Sequence, residues 1–240
     1  DNNPNHEPKF MYYNGDYYNH IESADPSNPP YDEPTFEGGY ELGVSEIELP
    51  NNLNALKGVA QDDGVYITGN YEVVFSRTGP MGDPMYGYVS YRKPGKNWTD
   101  LSLSSFNGVL FVNGGCSVEG TLDGRLTLAS NGNINIVNDV VYRDSNEGGP
   151  TDGCNDILGM VSGASIIIEN NAANQNDCVI HAHMMALTDL RANNYHSGSP
   201  RGTLTIYGGV VQQFRGPVGT GMLVGDDIMV LSGYEKDYHY

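Results

Sequence analysis

The sequence predicts an all-β protein: a parallel β-solenoid with an extended N-terminal segment and additional strands. Three observations carry that expectation. Short apolar runs recur from Gly108 onward, each closed by a turn: Val109-Leu110-Phe111-Val112, Ser117-Val118-Glu119-Gly120, Leu126-Thr127-Leu128-Ala129, Ile134-Asn135-Ile136-Val137 and Val140-Val141-Tyr142. One apolar position from each of the first four, Leu110, Val118, Leu126 and Ile134, falls at a constant spacing of eight, and Leu158 to Ile166 repeats it. Leu126 and Leu128 flank Thr127, and Ile134 and Ile136 flank Asn135. That alternation buries one face of each strand. An antiparallel sandwich would satisfy the alternation as well. The regular interval favours a coil whose inward side chains stack rung upon rung into one column.

The turn chemistry agrees. Gly number 31, and the connections Asn113-Gly114-Gly115, Asp123-Gly124-Arg125 and Ser130-Asn131-Gly132-Asn133 are rich in residues that accept positive φ at little steric cost. The single helical stretch expected is Asn51 to Gln61, at one or two turns.

Three zones organise the chain. Residues 1–50, with Asp25-Pro26-Ser27-Asn28-Pro29-Pro30-Tyr31, read as an extended Tyr/Pro/Asn-rich segment laid over a partner. Residues 51–105 read as strands packed on the core. There Gly69-Asn70, between Val65-Tyr66-Ile67-Thr68 and Tyr71-Glu72-Val73-Val74-Phe75, signals a hairpin. Residues 106–240 hold the solenoid and end in a strand-like tail at Tyr234–Tyr240.

Charge narrows the partners. With 12 Lys+Arg against 30 Asp+Glu, the formal net charge is −18. Nucleic acid is disfavoured, since its affinity comes mainly from Lys and Arg. Surface glycans, other subunits of an extracellular assembly and divalent cations fit better. No apolar run is long enough for a helical membrane span. The chain opens in a polar stretch at Asp1, so the expectation is a removed leader or a piece of something larger. Cys116, Cys154 and Cys178 have no CxxC spacing and read as small buried hydrophobes with room for one bridge.

Candidate chemistry is sparse. His181 and His183, two apart in an expected strand, would share a face and could hold a metal. The pairs Asp62-Asp63 and Asp226-Asp227 could take calcium through loop oxygens, although no EF-hand loop or calcium nonapeptide repeat occurs. Gly-x-Ser-x-Gly and His-Glu-x-x-His are missing, and adjacent Asp226 and Asp227 would point to opposite faces of a strand. The expectation is therefore not an enzyme. Tyrosines are the contact candidates: Tyr12, Tyr13, Tyr17 and Tyr18 as anchors, Tyr86, Tyr88 and Tyr91 as a stacking ladder, and Tyr234 and Tyr238 in the tail.

A longer string of segments adds a resemblance. Gly108–Gly114, Val118–Ser130, Asp139–Tyr142, Asp156–Val161, Ile180–Ala182 with Met185–Leu187, Pro200–Gly208, Arg215–Thr220 and Gly233–Asp237 with Tyr238 follow one another in this order. The chain from about residue 36 onward resembles bacterial surface proteins that carry a domain of unknown function associated with type IV pili. These include large minor pilins and pilus-tip proteins with a β-solenoid. The resemblance implies a secreted or cell-surface location and a structural or adhesive role in a pilus-like filament. A carbohydrate-binding or polysaccharide-cleaving β-helix module is the rival expectation.

Overall fold

The computed structural model describes residues 49–146, 148–224 and 227–239, and only the backbone of 10–13, 16–19, 223, 224, 227 and 228. The chain forms two compact units, Asp1–Glu48 and Leu49–Tyr240. In the first, β1 (Phe10–Tyr13) pairs antiparallel with β2 (Asp16–Asn19), setting Tyr12 opposite Tyr17. The rest of the segment expected to be extended, up to residue 48, lies outside the described residues. The strands flank Asn14-Gly15, a dipeptide that favours a two-residue hairpin.

The second unit is mostly β. It opens with α1 (Asn54–Asp62), followed by β3 (Val65–Thr68), β4 (Tyr71–Phe75), β5 (Tyr88–Arg92) and β6 (Thr99–Ser102). Then come β7 (Val109–Asn113), β8 (Cys116–Leu122), β9 (Arg125–Ser130), β10 (Ile134–Tyr142) and the short pair β11 (Ser145–Asn146) and β12 (Gly149–Pro150). Next are β13 (Ile157–Ser162), β14 (Ile166–Ile168), β15 (Cys178–His181), β16 (His183–Ala186) and β17 (Leu190–Ala192). Last are β18 (Pro200–Tyr207), β19 (Val210–Gln212), β20 (Gly219–Val224) and β21 (Asp227–His239).

Two sheets divide these strands. A six-stranded sheet runs β19-β16-β13-β9-β7-β3, parallel throughout. The larger, eleven-stranded sheet runs β20-β21-β18-β15-β10-β8-β4-β5-β6, with β14 and β17 branching from β10. Its inner pairs are parallel, and antiparallel strands close both ends, β5 with β6 at one and β20 at the other. The fork at β10 has a local cause. Ile134–Ile136 pair with β14 and Val140 with β15, across a register shift. Asn174, 1% exposed, closes the fork by donating from Nδ2 to the Ile136 and Glu169 carbonyls.

Leu110, Val118, Leu126 and Ile134 all enter one core cluster, but not as one column. Leu110 and Leu126 lie in the six-stranded sheet, Val118 and Ile134 in the larger one. Eight residues carry the chain from one sheet to the other, and two such crossings fall two residues short of the next register partner. Leu110 therefore stacks on Leu128. The column it belongs to is Val65, Leu110, Leu128, Met160, Met184 and Val210. Across the core, Val73, Val118, Ile136, Ile168 and Ala192 stack in the larger sheet. Most of these side chains are fully buried, and each stacked contact adds apolar area at about 25 cal/mol per Å².

The Gly69-Asn70 turn is likewise not a hairpin. β3 and β4 are not paired with each other, and each pairs in parallel with a strand some forty residues on, β7 and β8 respectively. Gly69, at φ +106°, turns the corner between the sheets, and Asn70 Oδ1 accepts the Gly115 N–H at 2.9 Å. Two rungs further on the device recurs, with Asn133 Oδ1 accepting the Ser165 N–H at 3.1 Å. On the inside of the same corner the fully buried Ser130 hydroxyl donates to the Gly114 carbonyl at 2.7 Å, and its stacked partner Ser162 to the Gly132 carbonyl at 2.9 Å. Corners leave backbone groups outside the strand ladders, and these short polar side chains satisfy them.

On the outer face of the six-stranded sheet, Tyr66, Phe111, Ala129, Val161, Met185 and Val211 form a second apolar row. Leu53, Leu56 and Ala60 of the α1 region pack on its first rungs. The helix is thus longer than the one or two turns expected.

Candidate functional site

Outward positions on the first rungs of the larger sheet build a polar groove. Strand alternation that sends Val73 and Val118 inward sends Glu72, Val74, Ser117 and Glu119 outward. Register then places Glu72, Ser117 and Asn135 side by side, and Val74 beside Glu119. One cleft, of about 510 Å³, lies over Asn70, Glu72, Ser117, Asn133 and Asn135, with Pro94 as a wall. A second, of about 460 Å³, lies further along the same strands over Val74, Ser76, Arg77, Glu119, Thr121 and Trp98.

Arg92 at the end of β5 and Arg77, two residues past the end of β4, place cations beside the groove, and β6 supplies Asp100. Arg92 Nε reaches Glu72 Oε2 at 2.5 Å, and its guanidinium lies 4.2 Å from the Trp98 ring centroid. Arg77 grips Asp100 with two bonds, at 2.7 and 2.5 Å, and lies 5.9 Å from the same ring. The Ser90 hydroxyl, fully buried, also donates to Asp100 at 2.7 Å. These bonds, Arg77's first, hold the Asp100 carboxyl below the usual carboxylate range and raise Arg77 in turn.

Three polar groups in the clefts lack partners among the described residues. Asn135 Oδ1 and Ser76 Oγ are buried with no hydrogen bond. Glu119 has neither a hydrogen bond nor an ion pair, so its carboxylate is free to accept two donors. Ser76 is held at φ +48°, in the left-handed region that a non-glycine residue rarely adopts. Sequence reasoning missed this site. The single Trp98 and the polar alternation Ser117, Glu119, Thr121 were visible signals, but the pairing of Glu72 with Ser117 and of Ser117 with Asn135 is set only by register.

The residues singled out from sequence lie elsewhere. His181 and His183 do not share a face. His181 ends β15 in the larger sheet and is 1% exposed, whereas His183 opens β16 in the six-stranded sheet and is exposed. The buried Ala182 between them is a corner, which breaks the strand alternation on which the pairing relied. His181 Nδ1 accepts the Tyr142 N–H at 3.1 Å, and burial pushes the imidazole down to about 4. The ring sits in an aromatic ladder, edge-on to Tyr142 and Tyr207 at 5.3 and 5.1 Å, and Tyr207 stacks on His239 at 4.5 Å. His183 Nδ1 accepts the Gly209 N–H.

Asp62 and Asp63 are exposed at the end of α1, while Asp226 and the side chain of Asp227 lie outside the described residues. No group of three or more His, Cys, Asp or Glu that could hold a metal occurs among the described residues. The more buried acids serve the backbone: Asp156 accepts the Gly124 N–H at 2.6 Å and Asp139 the Val179 N–H at 2.8 Å. All three cysteines are free thiols.

The tyrosines also separate. Tyr91 packs against the core and meets Tyr71 edge-on, Tyr88 is exposed, and Tyr86 lies under the Arg143 guanidinium at 4.2 Å. They form no common ladder, because an odd offset in a strand turns Tyr88 and Tyr91 to opposite faces. Tyr234 is a core residue, 3% exposed, whose hydroxyl donates to the Asn174 carbonyl at 2.6 Å. That buried bond corrects its assignment as a contact residue. Tyr238 is partly buried against the same core. The side chains of Tyr12, Tyr13, Tyr17 and Tyr18 lie outside the described residues.

The groove and its stacked scaffold define the class: an all-β protein, partly parallel, with a polar cleft on one outer face. Comparison with protein families, with curated proteins and with solved structures gave no match to this chain.

Proposed function

We propose that the unit from Leu49 onward is a β-solenoid. In this reading it is a non-enzymatic structural or adhesive protein of the bacterial exterior, carried at the tip of a pilus-like filament or as one of its components. The observation that carries this reading is the unbroken inner column from Val65 to Val210. A stack of that kind depends only on nearest-neighbour rungs, so it is stiff along its axis and leaves its outward positions available for recognition. The antiparallel strands at both ends of the larger sheet favour a single terminated unit at a tip over end-to-end stacking of copies. The resemblance to pilus-associated surface proteins supports the same location.

Immunogold labelling of intact cells that make the protein tests the proposal. Gold on filaments or on the outer surface is expected, and label confined to the cytosol refutes it. Incubation with polysaccharides tests the non-enzymatic part, which fails if new reducing ends appear in proportion to protein.

A further inference from the structure

We propose that the groove over β4, β8 and β10 binds a neutral oligosaccharide, which would be the adhesive contact of the surface protein described above and in that sense rests on it. Three features of the site point to that ligand. The first is shape. The two clefts follow one another along the same strands, from Glu72 to Ser76 on β4 and its turn and from Ser117 to Thr121 on β8. Four steps at ~3.3 Å give ~13 Å, room for a chain of linked rings and more than a single ring needs.

The second feature is what the groove offers. At its surface lie the Glu119 carboxylate and the hydroxyls of Ser117 and Thr121, and just beneath it the buried, unpartnered Asn135 Oδ1 and Ser76 Oγ. The carboxylate and the Asn135 oxygen only accept, while the three hydroxyls both accept and donate, a set that suits a ligand rich in O–H groups, which do both. A buried acceptor without a partner carries a standing penalty of about 1–3 kcal/mol, which a ligand hydroxyl would relieve. The left-handed backbone at Ser76 is a local strain that places this hydroxyl at the cleft wall. Trp98, lining the second cleft, adds an apolar surface of the kind that packs against the C–H face of a sugar.

The third feature is charge. Both arginines beside the groove are already held, Arg92 by Glu72 and Arg77 by Asp100. In the second cleft a uronate, sulfate or phosphate would find Arg77 already paired and would meet Glu119, in a chain of net charge −18; at the edge of the first cleft Lys93, over the Tyr71 ring, is the remaining cation among the described residues.

Affinity electrophoresis of the full chain tests this, in gels cast with neutral polysaccharides (glucans, mannans, galactans) or with uronic-acid and sulfated polymers. Retardation by at least one neutral polymer is expected, and none by the anionic ones. Glu119→Gln, which keeps the shape, and Asn135→Ala, which removes an unpartnered acceptor, should each weaken that binding about tenfold with unchanged melting temperature. Trp98→Ala should abolish it, but the two milder variants decide, because Trp98 also packs on the arginines. Absence of retardation by every neutral polymer, binding of anionic polymers alone, or full binding by both milder variants overturns the proposal. Gold on the cell surface without saccharide binding refutes this inference alone. Saccharide binding with cytosolic gold refutes the surface reading alone.

Discussion

Acidification should destabilise this fold through one residue, His181. Its imidazole is 1% exposed, and Nδ1 accepts the Tyr142 backbone N–H, which fixes the neutral form with its proton on Nε2. Nε2 has no hydrogen-bond partner. Protonating Nδ1 would set one N–H against another in a dry site. The folded value of about 4 lies below the unfolded 6.5. Between these values the unfolded chain binds a proton that the folded chain refuses, so stability is complete above pH 6.5 and falls as the pH drops toward 4. The full difference is about 3 kcal/mol, of which about 2 is lost by pH 5. Urea unfolding from pH 7.5 to 4.5, on the wild type and on His181→Gln, measures it. The 30 acidic residues titrate in both proteins, so the comparison isolates the histidine. Wild-type stability should fall about 2 kcal/mol further than the variant's by pH 5. Parallel curves would refute the assignment of a buried, neutral imidazole.

Two further outcomes follow from the packing. Leu128→Ala removes a fully buried side chain between Leu110 and Met160, and should cost about 3 kcal/mol in urea unfolding. A loss under about 1 kcal/mol would mean the column is not filled there. Burial pushes the Cys116 and Cys178 thiols up to about 12, whereas Cys154 is only half-buried. A thiol reagent at pH 8 should therefore modify Cys154 first and the other two only in denaturant; equal rates for all three would contradict the structure.

The alternation around Thr127 and Asn135 fixed which side chains face the core, because a strand's period of two leaves no other choice. On that ground alone Leu126, Leu128, Ile134 and Ile136 belong inside, where all four are buried. The eight-residue interval was also present in the sequence, but its meaning was not. It measures the step between facing sheets, and the stacking partner is chosen by hydrogen-bond register and by loops of unequal length. Gly69-Asn70 shows the same limit: a turn dipeptide specifies a bend, not which strand the chain meets afterwards. His181 and His183 failed as a pair for that reason, since a corner at Ala182 inverts a rule that holds only within one strand. The groove lay beyond local reading altogether. Glu72, Ser117 and Asn135 become neighbours only when parallel rungs close over long stretches of chain, and that pairing is a property of the tertiary structure.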